Sequence, residues 1–197
     1  QPMNLAILIP AAGAARRMRG GDKLLELVQG EPLLRRQARL ARALCQTVIV
    51  TLRQDDPARR QVLTGLDICL LPVPQAAEGM AASLRAGAAA ASGAVMILPG
   101  DMPELEAADL ALMIEGFDQH PDAILRGTSA TGTPGHPVIF PADLRESLQD
   151  LHGDAGARSV LIRHAARIKL IALTDQHALT DLDTPEAWAA WRARQQG

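Results

Sequence analysis

The 197-residue sequence predicts an α/β fold with a mostly parallel sheet and helices on both faces. Three observations carry that reading. Apolar runs of strand length alternate with helix-period segments as far as residue 127, a βαβαβαβαβ rhythm that builds parallel strands. The run "AVMILP" is continuously apolar, as a strand covered on both faces should be. The chain is 48% hydrophobic but 2% aromatic, with no tyrosine, so its core must be aliphatic.

The elements follow in order. "LAILIP" (5–10) is a strand, and "EPLLRRQARLARAL" (31–44) a helix with Pro32 in its first turn and Leu33, Leu40 and Leu44 on one face. "TVIVTL" (47–52) is a strand, and "DPARRQVLTG" (56–65) a short helix ending near Gly65. After the strand "DICLLPV" (67–73), "GMAASLRAGAAAASG" (79–93) is a helix whose small residues predict close packing on the sheet. "AVMILP" (94–99) is the fourth strand. Helix 106–117 follows, with Glu104 and Glu106 at its start, where the dipole favours acids. "AILRG" (123–127) is the fifth strand. The rhythm then changes: strand 136–140, helices 141–151 and 155–165, strand 168–173, and a last helix 184–195 capped by Thr184 or Asp183. Without repeats or low-complexity linkers, the length predicts a single domain over residues 3–197.

Composition excludes several classes of function. A net charge of −2 gives no field for holding a nucleic acid, and four aromatic residues are too few for base-stacking platforms. No run of eighteen apolar residues predicts a membrane span, and the first apolar run is too short for a signal peptide. Cys45 and Cys69 lack metal-like spacing and read as buried free thiols of a cytoplasmic protein. The five histidines form no metal motif, and Ser83 and Ser159 sit in no nucleophile elbow.

Ligands of such sheets bind at the carboxyl ends of the strands, so the chemistry belongs to the loops there. In "IPAAGAARRMRGGDK" the small residues Ala11, Ala12 and Gly13 let a ligand approach backbone N–H groups, while Arg17 and Lys23 add charge for phosphate. The glycine spacing matches neither a Walker A loop nor a dinucleotide fingerprint, and on spacing alone a solvated basic loop stays equally open. In "ILPGDMPE", Asp101 follows a buried strand and suits Mg²⁺, or a turn. Asp181 and Asp183 alternate in "LTDLDTPEAW"; capping takes one and leaves the other for a metal. His136, in "PGHPVIF", reads as a rim-loop substrate contact or a plain loop residue.

Together these stretches resemble the MobA-like nucleotidyltransferases. The opening is similar to their "LAAGxSxRMGxxxK" signature, and "EGMAASLRAG" (78–87) to their "GMGxSLxxG" block. "PGDMP", "GTPGHPVIF", "GDAGARSVL" and "DLDTPEAW" follow in the family's order. The resemblance is nearest to the molybdenum cofactor cytidylyltransferases. It implies a Rossmann-like three-layer nucleotidyltransferase fold and transfer of CMP from CTP to a phosphorylated acceptor, molybdopterin, with release of pyrophosphate. Ala11, Ala12, Gly13, Gly79 and Ser83 would meet the nucleotide. Arg17 and Lys23 would hold its phosphates and, with Asp101, form the catalytic set. Asp101 and Asp183 would hold Mg²⁺, and Glu78 and His136 would border the base or acceptor. A molybdoenzyme or chaperone contact belongs to the same implication.

Guanylyltransferases of this group carry "LAGG" where this chain has Pro10-Ala11-Ala12-Gly13, which tilts the base toward cytosine. Ala15 replaces a frequent serine and Arg19 a usual glycine. GTP in place of CTP, a sugar or polyol phosphate acceptor, and a non-catalytic nucleotide-binding module are the competing readings.

Overall fold

The structure, a computed structural model, describes residues 4–14 and 18–197. Among these residues seven strands form one sheet: β1 (Leu5–Ala11), β2 (Thr47–Arg53), β3 (Cys69–Val73), β4 (Ala94–Ile97), β5 (Ile124–Thr128), β6 (Pro134–Phe140) and β7 (Ile168–Ala172). Their order is β3-β2-β1-β4-β6-β5-β7. All run parallel except β6, which is antiparallel to both of its neighbours. It follows β5 after only a short turn, and a short turn reverses the chain where a parallel partner would need a crossover.

Among the described residues seven α-helices cover the sheet: α1 (Leu33–Leu44), α2 (Pro57–Val62), α3 (Met80–Ala90), α4 (Ala107–Gln119), α5 (Arg145–Gln149), α6 (Arg158–Arg163) and α7 (Pro185–Gln195). Ile7, Ile9, Val50 and Met96 pack under residues of α1 and α4 on one face. Leu8, Ile49, Val95 and Val138 pack under α3 and α6 on the other. The small residues of α3 do bring it close, because a Cβ on Gly87 would stand 2.4 Å from the methyls of buried Leu8.

Several expectations are corrected. Pro32 precedes α1 as its cap and belongs, with Glu31, to a small hairpin with Leu27–Val28. Leu33 leaves the face of Leu40 and Leu44 to join Met18, Val28, Leu182, Trp188 and Trp191 in a separate cluster. Trp188 and Trp191 meet edge to face, ring centres 5.8 Å apart, so α7 closes over the loop region that follows β1. Cys45 is buried as expected but Cys69 is exposed, because it opens the edge strand β3. His136 lies inside β6, not on a loop. Among the described residues no helix is long and apolar enough to cross a membrane.

Candidate active site

The strand order reverses between β1 and β4, and the residues after these two strands face each other across the resulting crevice. After β1 the chain passes through Ala12, Gly13 and Ala14, and at Asp22 enters a single turn over Lys23–Leu25. Ala12 is buried against Val73 and Ala82. Among the described residues, a Cβ on Gly13 would meet no protein atom within 4 Å, and its φ is not positive. Neither packing nor backbone strain therefore demands a glycine there; its bareness leaves room in the cleft.

Arg59 of α2, 1% exposed, braces this loop from behind. Its Nη1 donates to the carbonyls of Ala11 (2.8 Å) and Gly13 (2.7 Å). Its Nε and Nη2 fork the Asp22 carboxylate at 2.8 and 3.0 Å. A buried guanidinium is tolerable only with such partners, and here they tie strand end, loop and turn into one unit. Nothing in the sequence of the short helix marks Arg59, because all these partners are remote in the chain.

After β4, Pro99-Gly100-Asp101-Met102 turns outward. Gln37 of α1, buried, donates to the carbonyls of Pro99 (3.1 Å) and Met102 (3.2 Å) and holds the turn. The Leu182 amide donates to the Asp101 carbonyl at 3.4 Å and brings the last extended segment alongside. As a result Asp101, Asp181 and Asp183 each offer a carboxylate oxygen within 4.8 Å of the others. Thr184 caps α7 with its own hydroxyl, so capping uses neither aspartate. That corrects the expectation that it would take one. The signal was in the alternation of Asp181 and Asp183, which places both on one side of an extended chain.

Lys23 faces this trio. Its Nζ donates to Asp101 at 2.8 Å and to Asp183 at 2.7 Å. Burial works against its charge, but the two carboxylates outweigh burial and hold the ammonium above its ordinary pKa. Asp181 moves the other way: desolvation first, then the charges of Asp183 and Asp101, raise its carboxyl, and Lys23 offsets this only in part. Among the described residues, three carboxylates and one ammonium meet here. The oxygen-only, closely spaced donor set fits a hard divalent cation such as Mg²⁺.

The cleft above these groups holds about 1630 Å³, more than the roughly 300–1,000 Å³ of a site for one small ligand. Ala11, Ala12, Gly13, Lys23, Gly79, Ser83, Asp101, His136, Asp181 and Asp183 all line it. Gly79, at φ +121°, starts α3; a Cβ there would stand 2.0 Å from Asp154 Oδ1, which accepts from the Met80 amide at 3.3 Å. This contact joins two stretches far apart in sequence, "EGMAAS" and "GDAGA". Desolvation and the nearby Arg126 guanidinium press His136 below its ordinary pKa, against the pull of Asp101 and Asp181. Glu78 does not line the cleft; it is exposed and accepts from Arg85 at 2.7 Å.

Arg17 and Ala15 lie outside the described residues. Arg19 has φ +50°, the left-handed backbone that a glycine would adopt freely, and its guanidinium pairs with Glu186 of α7 away from the cleft.

A strand-end loop braced for close approach thus faces a carboxylate trio at the switch point of a mostly parallel sheet, an arrangement suited to the phosphates of a nucleotide and a cation. Residues 7–168 match the MobA-like NTP transferase domain, and the chain belongs to that family. It is 31% identical to a molybdenum cofactor guanylyltransferase of Pseudomonas paraeruginosa, over 93% of this chain and 92% of that one. To the molybdenum cofactor guanylyltransferase of Pseudomonas fluorescens it is 29% identical, over 94% and 92%. The crystal structure of Rv0371c from Mycobacterium tuberculosis superposes with a TM-score of 0.81 at 25% identity, covering 100% of both chains.

Proposed function

We propose that this protein transfers GMP from GTP to the phosphate of molybdopterin and releases pyrophosphate. The observation that carries the reaction type is the juxtaposition of Lys23 and the braced Ala11–Gly13 loop with Asp101, Asp181 and Asp183 in one cleft large enough for two substrates. The names of the relatives support the nucleotide and the acceptor.

In the proposed reaction an oxygen of the acceptor phosphate attacks the α-phosphorus. The new P–O bond forms as the bond from the α-phosphorus to its bridging oxygen breaks, and pyrophosphate leaves with that electron pair. An acceptor phosphate is already anionic near neutral pH, so no general base is needed, in accord with the scattered histidines. Positioning and charge therefore carry the catalysis. Asp101, Asp181 and Asp183 are the residues that would hold Mg²⁺, which supplies charge neutralisation at the α-phosphate when bound. Lys23 stands beside them, hydrogen-bonded to Asp101 and Asp183, and would turn toward the phosphates of a bound nucleotide. Ala12 and Gly13 bring their backbone to the cleft beside them, and Arg17 holds the matching basic position of the family signature.

A second reading, CTP in place of GTP, rests on Ala12, buried where guanylyltransferases of the group carry glycine. Turnover of GTP and CTP with Mg²⁺ and molybdopterin separates them. A kcat/KM for GTP above that for CTP supports the first reading, and the reverse order establishes the second.

A further inference from the structure

Between the end of β7 at Ala172 and the start of α7 at Pro185 the chain forms neither helix nor strand, yet this run carries Asp181 and Asp183. Without a ladder to place it, such a run takes its position from the few polar contacts it makes. Its first part turns on itself. The His177 amide donates to the Thr174 carbonyl at 3.0 Å, and the Leu179 and Thr180 amides to the Gln176 carbonyl at 2.9 and 3.1 Å. The Ala178 carbonyl accepts from the His136 amide at 2.9 Å, and it passes so close to β6 that a Cβ on Gly135 would stand 2.0 Å from it.

His177 anchors this run to α4. Its Nδ1 lies 2.7 Å from Oδ2 of Asp109, in the first turn of that helix. A carboxylate accepts, so Nδ1 is the donor. Asp109 is 1% exposed, and it also accepts from the Thr174 amide at 3.4 Å and the Glu106 amide at 2.9 Å. One buried carboxylate therefore ties the start of α4 to two points of the run. The carboxylate trio is drawn from two segments of chain: Asp109 follows Asp101 on one, and His177 precedes Asp181 on the other. The pair joins these same two segments from behind, since Ala178 and Leu179 line the cleft whereas His177 and Asp109 lie outside its lining. The backbone bond from Leu182 to the Asp101 carbonyl is long, 3.4 Å, and shares the registration of the two segments with this shorter contact.

We propose that His177 and Asp109 are positioning residues for the divalent-cation site: their contact sets the run 174–183 against α4 so that Asp181 and Asp183 converge on Asp101. The inference rests on the reading of the trio as a cation site, and adds to it the device that brings its two halves together. The charges of Asp183 and Asp101 act against that of Asp181, so holding the three ready for a cation needs support from behind.

The test is Mn²⁺ binding by calorimetry on the full chain without nucleotide, beside amide hydrogen exchange of residues 178–183. Wild type, Asp101→Asn, His177→Ala, His177→Asn and His177→Gln are compared. Asp101→Asn marks the part of the binding that belongs to the trio. His177→Ala is expected to weaken that part by about tenfold and to speed exchange at 178–183. His177→Asn should restore both, because its amide N–H stands where Nδ1 did, while the amide of His177→Gln reaches too far to do so. That contrast serves equally if His177→Ala does not fold. Wild-type Mn²⁺ affinity and exchange in His177→Gln and in folded His177→Ala overturn the proposal, even where melting midpoints fall, because the pair then only adds stability. Failure of the cation reading shows separately, as wild type taking up no Mn²⁺ that Asp101→Asn abolishes. Exchange that still depends on His177 would then support the clamp without the cation, and exchange independent of His177 would overturn both.

Discussion

At the scale of the residue, Asp181 has the clearest electrostatic consequence. Its carboxyl is raised by desolvation and by two neighbouring carboxylates. The folded protein therefore binds that proton more readily than the unfolded chain, and stability falls as pH rises from the ordinary aspartate value, about 3.9, through the folded one. Removing the charge removes the loss. Asp181→Asn is expected to raise the thermal midpoint of the metal-free protein at pH 7, and to blunt the further rise that Mg²⁺ gives wild type; parallel melting curves with and without Mg²⁺ check both. Lys23 has the opposite dependence. Its raised pKa means that its ion pairs stabilise fully below the ordinary lysine range and fade as pH climbs through the folded value. Lys23→Met should cost on the order of 1 kcal/mol in urea unfolding at pH 7, with loss of most turnover. Lys23, Asp101 and Asp183 were legible because each follows a strand end or precedes a helix cap. Arg59 and Gln37 were not, because what gives each its meaning is a carbonyl far away in the chain.

At the scale of the element, the loop after β1 owes its shape to α2. Arg59→Met would strand the Asp22 carboxylate and two loop carbonyls, and is expected to destabilise the protein by about 3 kcal/mol while raising the KM for nucleotide. Arg59→Lys should recover little, since an ammonium cannot reproduce the fork. Denaturant titration beside nucleotide kinetics reads both effects. Two glycines of α3 separate packing from site geometry. Gly87→Ala pushes into Leu8 and should cost about 1–3 kcal/mol with KM unchanged. Gly79→Ala drives a Cβ into Asp154 at a positive φ and should impair nucleotide binding as well as stability. The helices and strands were almost all legible, since period and length distinguish them. The direction of β6 was not, because antiparallel pairing depends on the short turn from β5 and leaves no mark on a run as brief as "HPVIF".

At the scale of the whole molecule, the order β3-β2-β1-β4-β6-β5-β7 brings residues 11–23, 97–102 and 181–183 to one crevice, and the Trp188–Trp191 cluster holds the last helix beside it. Motif order along the chain pointed to this convergence; the sheet accomplishes it. The base preference is the part that sequence patterns and relatives read differently, because a single buried alanine and the names of homologues pull toward different nucleotides. The central claim is that nucleotidyl transfer occurs at the carboxylate trio. The most direct measurement is pyrophosphate release, with mass detection of the nucleotidyl–molybdopterin product, for wild type and Asp101→Asn with Mg²⁺. Wild type is expected to form product, and the variant, which melts normally and still binds nucleotide, to lose on the order of a hundredfold or more in rate. Equal product from both proteins would contradict it.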